Sequence, residues 1–274
     1  PSLNNSPKNA NLKDYFSVVK DQGTQGACAS FSLVSVFEYF LSNAVNAEMD
    51  LSEAYVYYNA RKISGDTDND NGVSLQNVIK AMTDSGICVE ELCPYDQNTY
   101  SEKPSDDAYE DGHKRKILDA KNVPIDIAKI KLAIADGYPV VTSFKIYDSF
   151  TKNIKGFVSM PTEEELKSSV KEYHAMVICG YSDEHSYFIV RNSWGEDFGD
   201  KGYCYIPYSY VRNPELTRYA CIITGIDVQT PRHSAKEFTF NSEELDNNIQ
   251  YAIVCNQLLE LEYLIEQEKR KLYD

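Results

Sequence analysis

Positive charge is scarce in this sequence of 274 residues. It contains 27 lysines and arginines against 42 aspartates and glutamates, which gives a formal net charge of −15 at pH 7. Because binding to a phosphate backbone requires a basic surface that releases counterions, this composition argues against a nucleic-acid partner. An acidic surface tolerates basic proteins and peptides better than acidic ones and keeps the chain soluble.

Long apolar runs are lacking as well. No stretch approaches the roughly 20 apolar residues that a helix needs to cross a bilayer, so we expect no contact with a membrane. The first five residues, PSLNN, are polar and uncharged, unlike a secretory signal. Because residue 1 is proline, we expect a processed form or an excised domain, and a secreted form stays open if a signal was removed before it.

Cysteine occurs seven times, and an odd number in a chain of this length does not indicate a disulfide framework. Cys179 and Cys221 lie in apolar runs and are interpreted as small buried hydrophobic residues. Cys88 and Cys93 lack the CxxC or histidine pattern of a zinc site, while a disulfide between them stays open. This usage mildly favours a cytoplasmic or otherwise reducing compartment.

One acidic stretch has the spacing of a calcium-binding loop. Asp66, Asp68 and Asp70 alternate as at the start of an EF-hand. However, Asn71 occupies the position of the required glycine, and Asn77 that of the final glutamate. We interpret the stretch as a solvated acidic loop and predict no metal site and no cofactor.

The pattern of the chain changes from helices to strands near Pro139. An apolar run over 28–41 predicts a helix buried on nearly all sides, whereas 94–121 is polar and rich in loops. Further helices are predicted over 52–61, from Ser74 to about Gly86 and over 126–136, and strands over 140–147, 174–181, 187–192, 203–207 and 220–228. Helices followed by strands predict an α+β chain in two lobes.

The last segment is helical in pattern. Asn241 followed by Glu244 resembles a capping box, and 245–272 has apolar residues at helical spacing among many glutamates and lysines. This helix has four candidate roles: packing on the preceding domain, pairing with another copy, contacting another domain, or covering a cleft.

Cys28 stands at the start of the buried helix, which is a favourable place for a reactive thiol. The positive end of a helix and an adjacent imidazolium both favour the thiolate, which is the nucleophilic form. Three of the four histidines, His113, His185 and His233, lie in polar loops or turns. His174 alone begins a predicted strand, and it is the candidate base.

Three separated motifs resemble those of the papain family of cysteine peptidases. They are DQGTQGACASFS at 21–32, YHAM at 173–176 and RNSWG at 191–195. As in that family, a glutamine, Gln22, precedes the cysteine by six positions, and the order is cysteine, histidine, asparagine. The resemblance covers roughly 12–228 and is specific at the three motifs.

The resemblance implies a papain-like two-lobe fold. Its helical N-terminal lobe, about 12–120, is built on the central helix that bears the nucleophile, and its β-barrel-like C-terminal lobe covers about 121–228. We expect residues 1–11 to be irregular and residues 229–274 to form a linker and the C-terminal helix.

The resemblance also assigns roles to residues. Cys28 is expected to be the nucleophile, His174 its general base and acid, and Asn192 the residue that orients His174. The Gln22 amide and the Cys28 N–H are expected to bind the oxyanion. Substrate-binding positions are expected at Gly72, where a peptide can pair with backbone, at Tyr173, and at Trp194, which shields the imidazole.

Two departures from the family pattern keep alternatives open. Gln25 replaces the usual disulfide-forming cysteine, and Ala29 replaces the aromatic residue after the nucleophile. The leading hypothesis is a peptidase acting on protein or peptide substrates through an acyl-thioester. The alternatives are a transpeptidase or ligase that uses the same residues, and a catalytically idle binding module.

Overall fold

The computed structural model describes residues 7–168, 172–227, 236 and 247–273. The helices are α1 (Cys28–Val45), α2 (Glu53–Ser64), α3 (Leu75–Asp84), α4 (Asp106–Gly112), α5 (Ile127–Ala135), α6 (Asp148–Thr151), α7 (Glu163–Lys167), α8 (Tyr208–Arg212) and α9 (Asn247–Tyr273). The strands are β1 (Asn9–Asn11), β2 (Ile117–Asn122), β3 (Val140–Lys145), β4 (Tyr173–Ser182), β5 (Tyr187–Arg191), β6 (Tyr203–Pro207) and β7 (Thr217–Ile226).

Helix α1 lies at the centre of the helical lobe. It is apolar on nearly all sides, and its residues from Ala29 to Leu41 are all buried. Its length and composition would suffice to cross a membrane, but 72% of it is buried within the protein. The helix ends at Asn46, which adopts a left-handed conformation with φ 51°. Burial on every side is the environment that the sequence pattern predicts.

Helices α2 and α3 pack on each other and on α1. Each begins at a serine whose hydroxyl accepts a hydrogen bond from a backbone N–H in the first turn: Ser52 from Tyr55 at 3.0 Å and Ser74 from Asn77 at 3.2 Å. Such caps satisfy N–H groups that have no partner within the helix. The Ser74 cap therefore fixes where the loop between these helices ends.

The strand-rich lobe is an antiparallel sheet with the order β2-β7-β3-β4-β5-β6, and β1 pairs with β4 outside this path. In β4, His174 lies opposite Phe144 of β3, and in β5 Arg191 lies opposite Val177. Because α1 packs against β4, the first residue of α1 comes close to the beginning of β4. The sheet thus carries the histidine to the cysteine.

The structure corrects two boundaries. Residues 9–11 form β1 by pairing with β4, so the expectation of an irregular segment is wrong there. The region 94–121 contains α4 and most of β2, which pairs with β7 and moves the start of the strand-rich lobe to Ile117. In β2 only Ile117 is buried, which explains why the region resembles a polar loop. Cys88 and Cys93 are free thiols.

The C-terminal helix α9 begins and ends close to the predicted 245–272. Ile249 and Ile253 are buried, and Arg212 of α8 pairs with Glu260 through two contacts of 2.9 Å. One face of α9 is therefore docked on the strand-rich lobe. The predicted capping box at 241–244 lies outside the described residues.

Candidate active site

The His174 ring is held by Asn192. The His174 Nε2–H donates to Asn192 Oδ1 at 2.6 Å, and both side chains are about 95% buried, with exposures of 5% and 4%. Asn192 Oδ1 also accepts the N–H of Ser193 at 2.8 Å, which fixes which end of the amide faces the ring. Since Nε2 carries the proton in this contact, Nδ1 is free to interact with a thiol.

Cys28 is the first residue of α1, and its side chain lies beside His174. Burial raises the pKa of the Cys28 thiol, but the hydrogen bond and the charge of His174, together with the backbone N–H groups of Ala175 and Ala29, outweigh burial and bring the pKa below its usual value of 9.0. The N–H of Ala175 donates to Cys28 Sγ at 3.5 Å. A half-buried thiol that is nevertheless stabilised as thiolate is a candidate nucleophile.

Gln22 is fixed on three sides next to this cysteine. Its Oε1 accepts from Ser193 Oγ at 2.6 Å, its Nε2 donates to the Gln25 carbonyl at 2.8 Å, and its carbonyl accepts from Tyr95 Oη at 2.8 Å. Because an amide nitrogen has two hydrogens, the second N–H of Nε2 remains for a ligand. Gln22 lines the same cleft as Cys28.

Trp194 packs on the imidazole. Its ring centroid is 4.8 Å from that of His174, with an interplanar angle of 31°. Phe150 and Phe198 contact the indole edge-on at 5.7 and 5.1 Å. The indole therefore keeps water from the contact between His174 and Asn192, where a hydrogen bond is strengthened by low polarity.

An open cleft of about 980 Å³ runs past these residues. Gly72 lines it with φ 75°, and a Cβ on Gly26 would lie 3.0 Å from the Gly72 backbone. The close approach favours glycine at position 26, and the positive φ favours glycine at position 72. Tyr173 lines the cleft too, and the Arg218 guanidinium lies 4.6 Å from its ring centroid. All seven predicted site residues thus border or directly support one cleft.

The walls of the cleft are acidic. Asp66, Asp70 and Glu172 line it, and the lining residues that the structure describes include no lysine or arginine. Hydrogen bonds from Asn69 and Asn71 lower the pKa of Asp66, so this carboxylate stays charged at neutral pH. Within the described ranges, no three histidine, cysteine or acidic side chains are arranged to hold a metal ion.

Sequence reasoning missed three supporting residues. Ser193 anchors the Gln22 amide, Tyr95 binds the Gln22 carbonyl, and Asp70 accepts the N–H of Gly26 at 3.0 Å. Ser193 lies inside a motif and carried a signal. The other two lie in polar loops, and only the folded chain brings them to the site.

The comparison with known families agrees with this geometry. The sequence profile described as papain family cysteine protease matches residues 6–224. The chain belongs to this family. It is accordingly a cysteine-type peptidase by descent, and its mixture of helices and antiparallel sheet is the papain-like two-lobe fold.

Relatives of this papain-family chain come from different organisms. An uncharacterized peptidase C1-like protein of Acanthamoeba polyphaga mimivirus is 31% identical over 220 residues, covering 75% of this chain and 69% of that protein. Pro-cathepsin H of Medicago truncatula is 29% identical over 196 residues, 68% of this chain and 52% of its own length. The chain therefore spans about half the length of this second relative.

A solved structure of another cysteine protease has a similar fold. Xylellain, a cysteine protease from Xylella fastidiosa, superposes with a TM-score of 0.74 at 30% sequence identity, covering 84% of this chain and 88% of that one. Both the helical lobe and the strand-rich lobe are thus shared with this papain-family protein.

Proposed function

We propose that this chain hydrolyses peptide bonds in protein or peptide substrates through an acyl-thioester on Cys28. The observation that carries the proposal is the alignment of three side chains: the Cys28 thiol at the tip of α1, His174 lowering its pKa, and Asn192 holding the far nitrogen of the ring at 2.6 Å. Each of these features favours a thiolate paired with an imidazolium.

In the first half-reaction, the Cys28 thiolate attacks the carbonyl carbon of the scissile bond. The carbonyl π electrons move to oxygen, and the Cys28 N–H and the second N–H of Gln22 Nε2 stabilise the resulting oxyanion. The imidazolium of His174 then gives its Nδ1 proton to the departing amine. The C–N bond breaks, the amine product leaves, and the acyl group remains on Cys28 Sγ.

In the second half-reaction, neutral His174 takes a proton from a water molecule that attacks the thioester. The C–S bond breaks, the carboxylic acid product leaves, and Cys28 returns to the thiolate. The cleft is open and its walls are polar, with Asp70, Asn71 and Glu172 among its lining residues. Water therefore has access to the acyl group, which favours hydrolysis over transfer to an amine.

Substrates are expected to bind extended across the cleft. The Gly72 backbone is unobstructed by a side chain, so a peptide can pair with it through main-chain hydrogen bonds. Because the walls of the cleft are acidic, basic side chains of a substrate meet no like-charge repulsion there.

The experiment is thiol-directed labelling combined with product analysis. A peptidyl epoxide should label Cys28 at neutral pH, and mass spectrometry of a cleaved unfolded protein should show new carboxyl termini. Cys28→Ala should abolish both signals, whereas Cys93→Ala, a matched change at another half-buried thiol, should keep them. Products joined to an added amine in preference to water would assign a transferase, and a wild-type chain that is neither labelled nor active would assign a binding module.

A further inference from the structure

Helix α9 has more apolar surface than its docking on the catalytic domain uses. Ile249, Ile253 and Asn256 form the docked face and are 1%, 6% and 5% exposed. Arg212 reinforces this face by its pair of contacts with Glu260. A surface helix needs one apolar face of this kind, and α9 has a second one.

The second face is formed by large side chains that solvent reaches. They are Tyr251, Val254, Leu258, Leu261 and Ile265, with exposures of 72%, 50%, 55%, 53% and 46%. We call these five residues the α9 stripe. With a turn of about 100° per residue, the stripe lies on the side of the helix opposite Ile249 and Asn256.

The spacing within the stripe alternates between three and four residues. This is the spacing of the seam in a coiled coil, where such side chains insert between those of a facing helix. A contiguous apolar patch of a few hundred Å² on a soluble domain marks an interaction site. The pattern therefore predicts a second helix as the partner of the stripe.

Charge along α9 indicates which helix fits. The half at 248–259 has no charged residue, whereas the half at 260–271 contains all the charges, which are Glu260, Glu262, Glu266, Glu268, Lys269, Arg270 and Lys271. Glu262, Glu268 and Lys269 flank the stripe, and a parallel pair of α9 helices would place each of them beside its own copy, with like-charge repulsion along the seam. In an antiparallel pair, each charged half lies along the uncharged half of the other helix.

We propose that the α9 stripe is the interface of a homodimer in which α9 packs antiparallel on α9 of a second copy. The two-fold axis passes between Leu259 and Glu260, so that Leu258 packs on Leu261 of the second copy and Val254 packs on Ile265. Such an arrangement is isologous, because the same surface is used on both chains. Glu268 then lies level with Tyr251, whose hydroxyl can donate to it.

A groove beside the stripe extends the contact surface. It has a volume of about 390 Å³ and is bounded by Ile154, Phe157 and Met160 on one side and by Tyr251 and Leu259 of α9 on the other. A stable interface buries about 800 Å² on each partner, which is more than a short helix pair provides. Flanking side chains of the second copy can fill this groove and supply the remainder.

The test is the mass of the whole chain in solution, measured by sedimentation velocity and light scattering over about 1 to 100 µM, a range that covers micromolar dissociation constants. We expect a dimer for the wild type and a monomer for Leu258→Glu/Leu261→Glu. The matched control is Arg270→Gln/Lys271→Gln, which lowers the net charge by the same two units off the stripe and should remain dimeric. Circular dichroism and epoxide labelling of Cys28 verify that each variant is folded, and Leu258→Gln/Leu261→Gln replaces the glutamate pair if it is not.

Cross-linking tests the direction of the helices. A mixture of chains that carry Val254→Cys or Ile265→Cys should form a disulfide between the two kinds of chain faster than within either kind. A monomeric wild type over the whole range overturns the proposal, as does a dimer that survives the stripe substitutions. Binding of a monomeric wild type to lipid vesicles through the stripe would assign it to a membrane surface instead.

Discussion

The Asp70 carboxylate accepts the backbone N–H of Gly26 with both oxygens, at 3.0 Å to Oδ1 and 3.2 Å to Oδ2. The Tyr57 hydroxyl donates to the same carboxylate. Because Gly26 lies two residues before Cys28, this contact joins the loop that carries Gly72 to the turn that presents the nucleophile. Gln25, where the papain family usually has a disulfide-forming cysteine, lies beside this contact, and here a charged hydrogen bond holds the turn.

Loss of this carboxylate should slow catalysis. A hydrogen bond to a charged group contributes about 1.5–3 kcal/mol when it is well shielded, and since Asp70 is exposed we expect Asp70→Ala to lower kcat/KM by about tenfold. Asp70→Asn keeps one acceptor oxygen and should lose less. Peptide hydrolysis rates measure the effect, and equal activity of Asp70→Ala and wild type would show that the turn is held without this contact.

The hydrogen bond between Ser193 and Gln22 should affect kcat only by holding the Gln22 amide in place. Removal of one oxyanion donor typically costs 10²–10³ in kcat, which we expect for Gln22→Ala. Ser193→Ala leaves the donor in place but unanchored, so its loss should be smaller. A double-mutant cycle on kcat should show that Ser193→Ala has no further effect in the Gln22→Ala background. Additive losses would mean that Ser193 acts elsewhere.

Asn192→Asp should move the pH profile of activity. A carboxylate beside His174 Nε2 favours the imidazolium, so the alkaline limb should shift to higher pH. The change costs little packing because Asn192 Nδ2 has no hydrogen-bond partner within the described residues. Asn192→Ala is the companion variant: it leaves the ring unoriented and should lower kcat by about 100-fold. An unshifted limb in Asn192→Asp would mean that this residue does not touch the working ring.

A buried charge cluster should make stability depend on pH. Lys20 Nζ lies 3.0 Å from Glu38 and 2.9 Å from Glu53, both carboxylates being 2% exposed. Burial, reinforced by the charge of Glu38 and opposed by Lys20, raises the pKa of Glu53 to about 8.

The free energy of unfolding decreases as pH rises, because the folded chain keeps a proton on Glu53 that the unfolded chain releases. This contribution to stability is complete below the ordinary glutamate pKa of 4.5 and is lost as pH rises through about 8. The melting temperature should therefore fall as pH rises from about 4.5 to about 8, and Glu53→Gln should flatten that fall. Glu196→Gln, at an exposed glutamate, is the control and should leave the slope unchanged; a wild type with constant stability over this range would contradict the assignment.

The three sequence motifs made most of the active-site residues predictable. Cys28, His174 and Asn192 were identifiable because each lies in a stretch whose residue types its chemistry requires. The helix α1 was identifiable because burial on all sides leaves an apolar run that has no polar face. Its predicted end at residue 41 was short of Val45, since the last turn is polar and partly exposed.

Other features depend on contacts between distant segments and leave little trace in local sequence. Strand β2 exposes most of its side chains at the edge of the sheet. Its sequence therefore includes charged residues and lacks the alternation of apolar and polar residues that predicts a strand. The contact between Asp70 and Gly26 spans 44 residues, and the acidic pattern around Asp70 is equally typical of a solvated loop. Only the packing of α2 and α3 beside α1 places that carboxylate at the active-site turn.

The central claim is that His174 holds Cys28 as a thiolate, and the pH dependence of Cys28 alkylation tests it directly. Iodoacetamide reacts with the thiolate, and peptide mapping separates Cys28 from the other half-buried cysteines, Cys93 and Cys255. In the wild type the rate should level off below the usual thiol pKa of 9.0. In His174→Ala, which removes the imidazole but keeps the burial and the Ala175 N–H contact, the inflection should move to higher pH. A wild-type inflection at or above 9.0 that His174→Ala does not move would contradict the account.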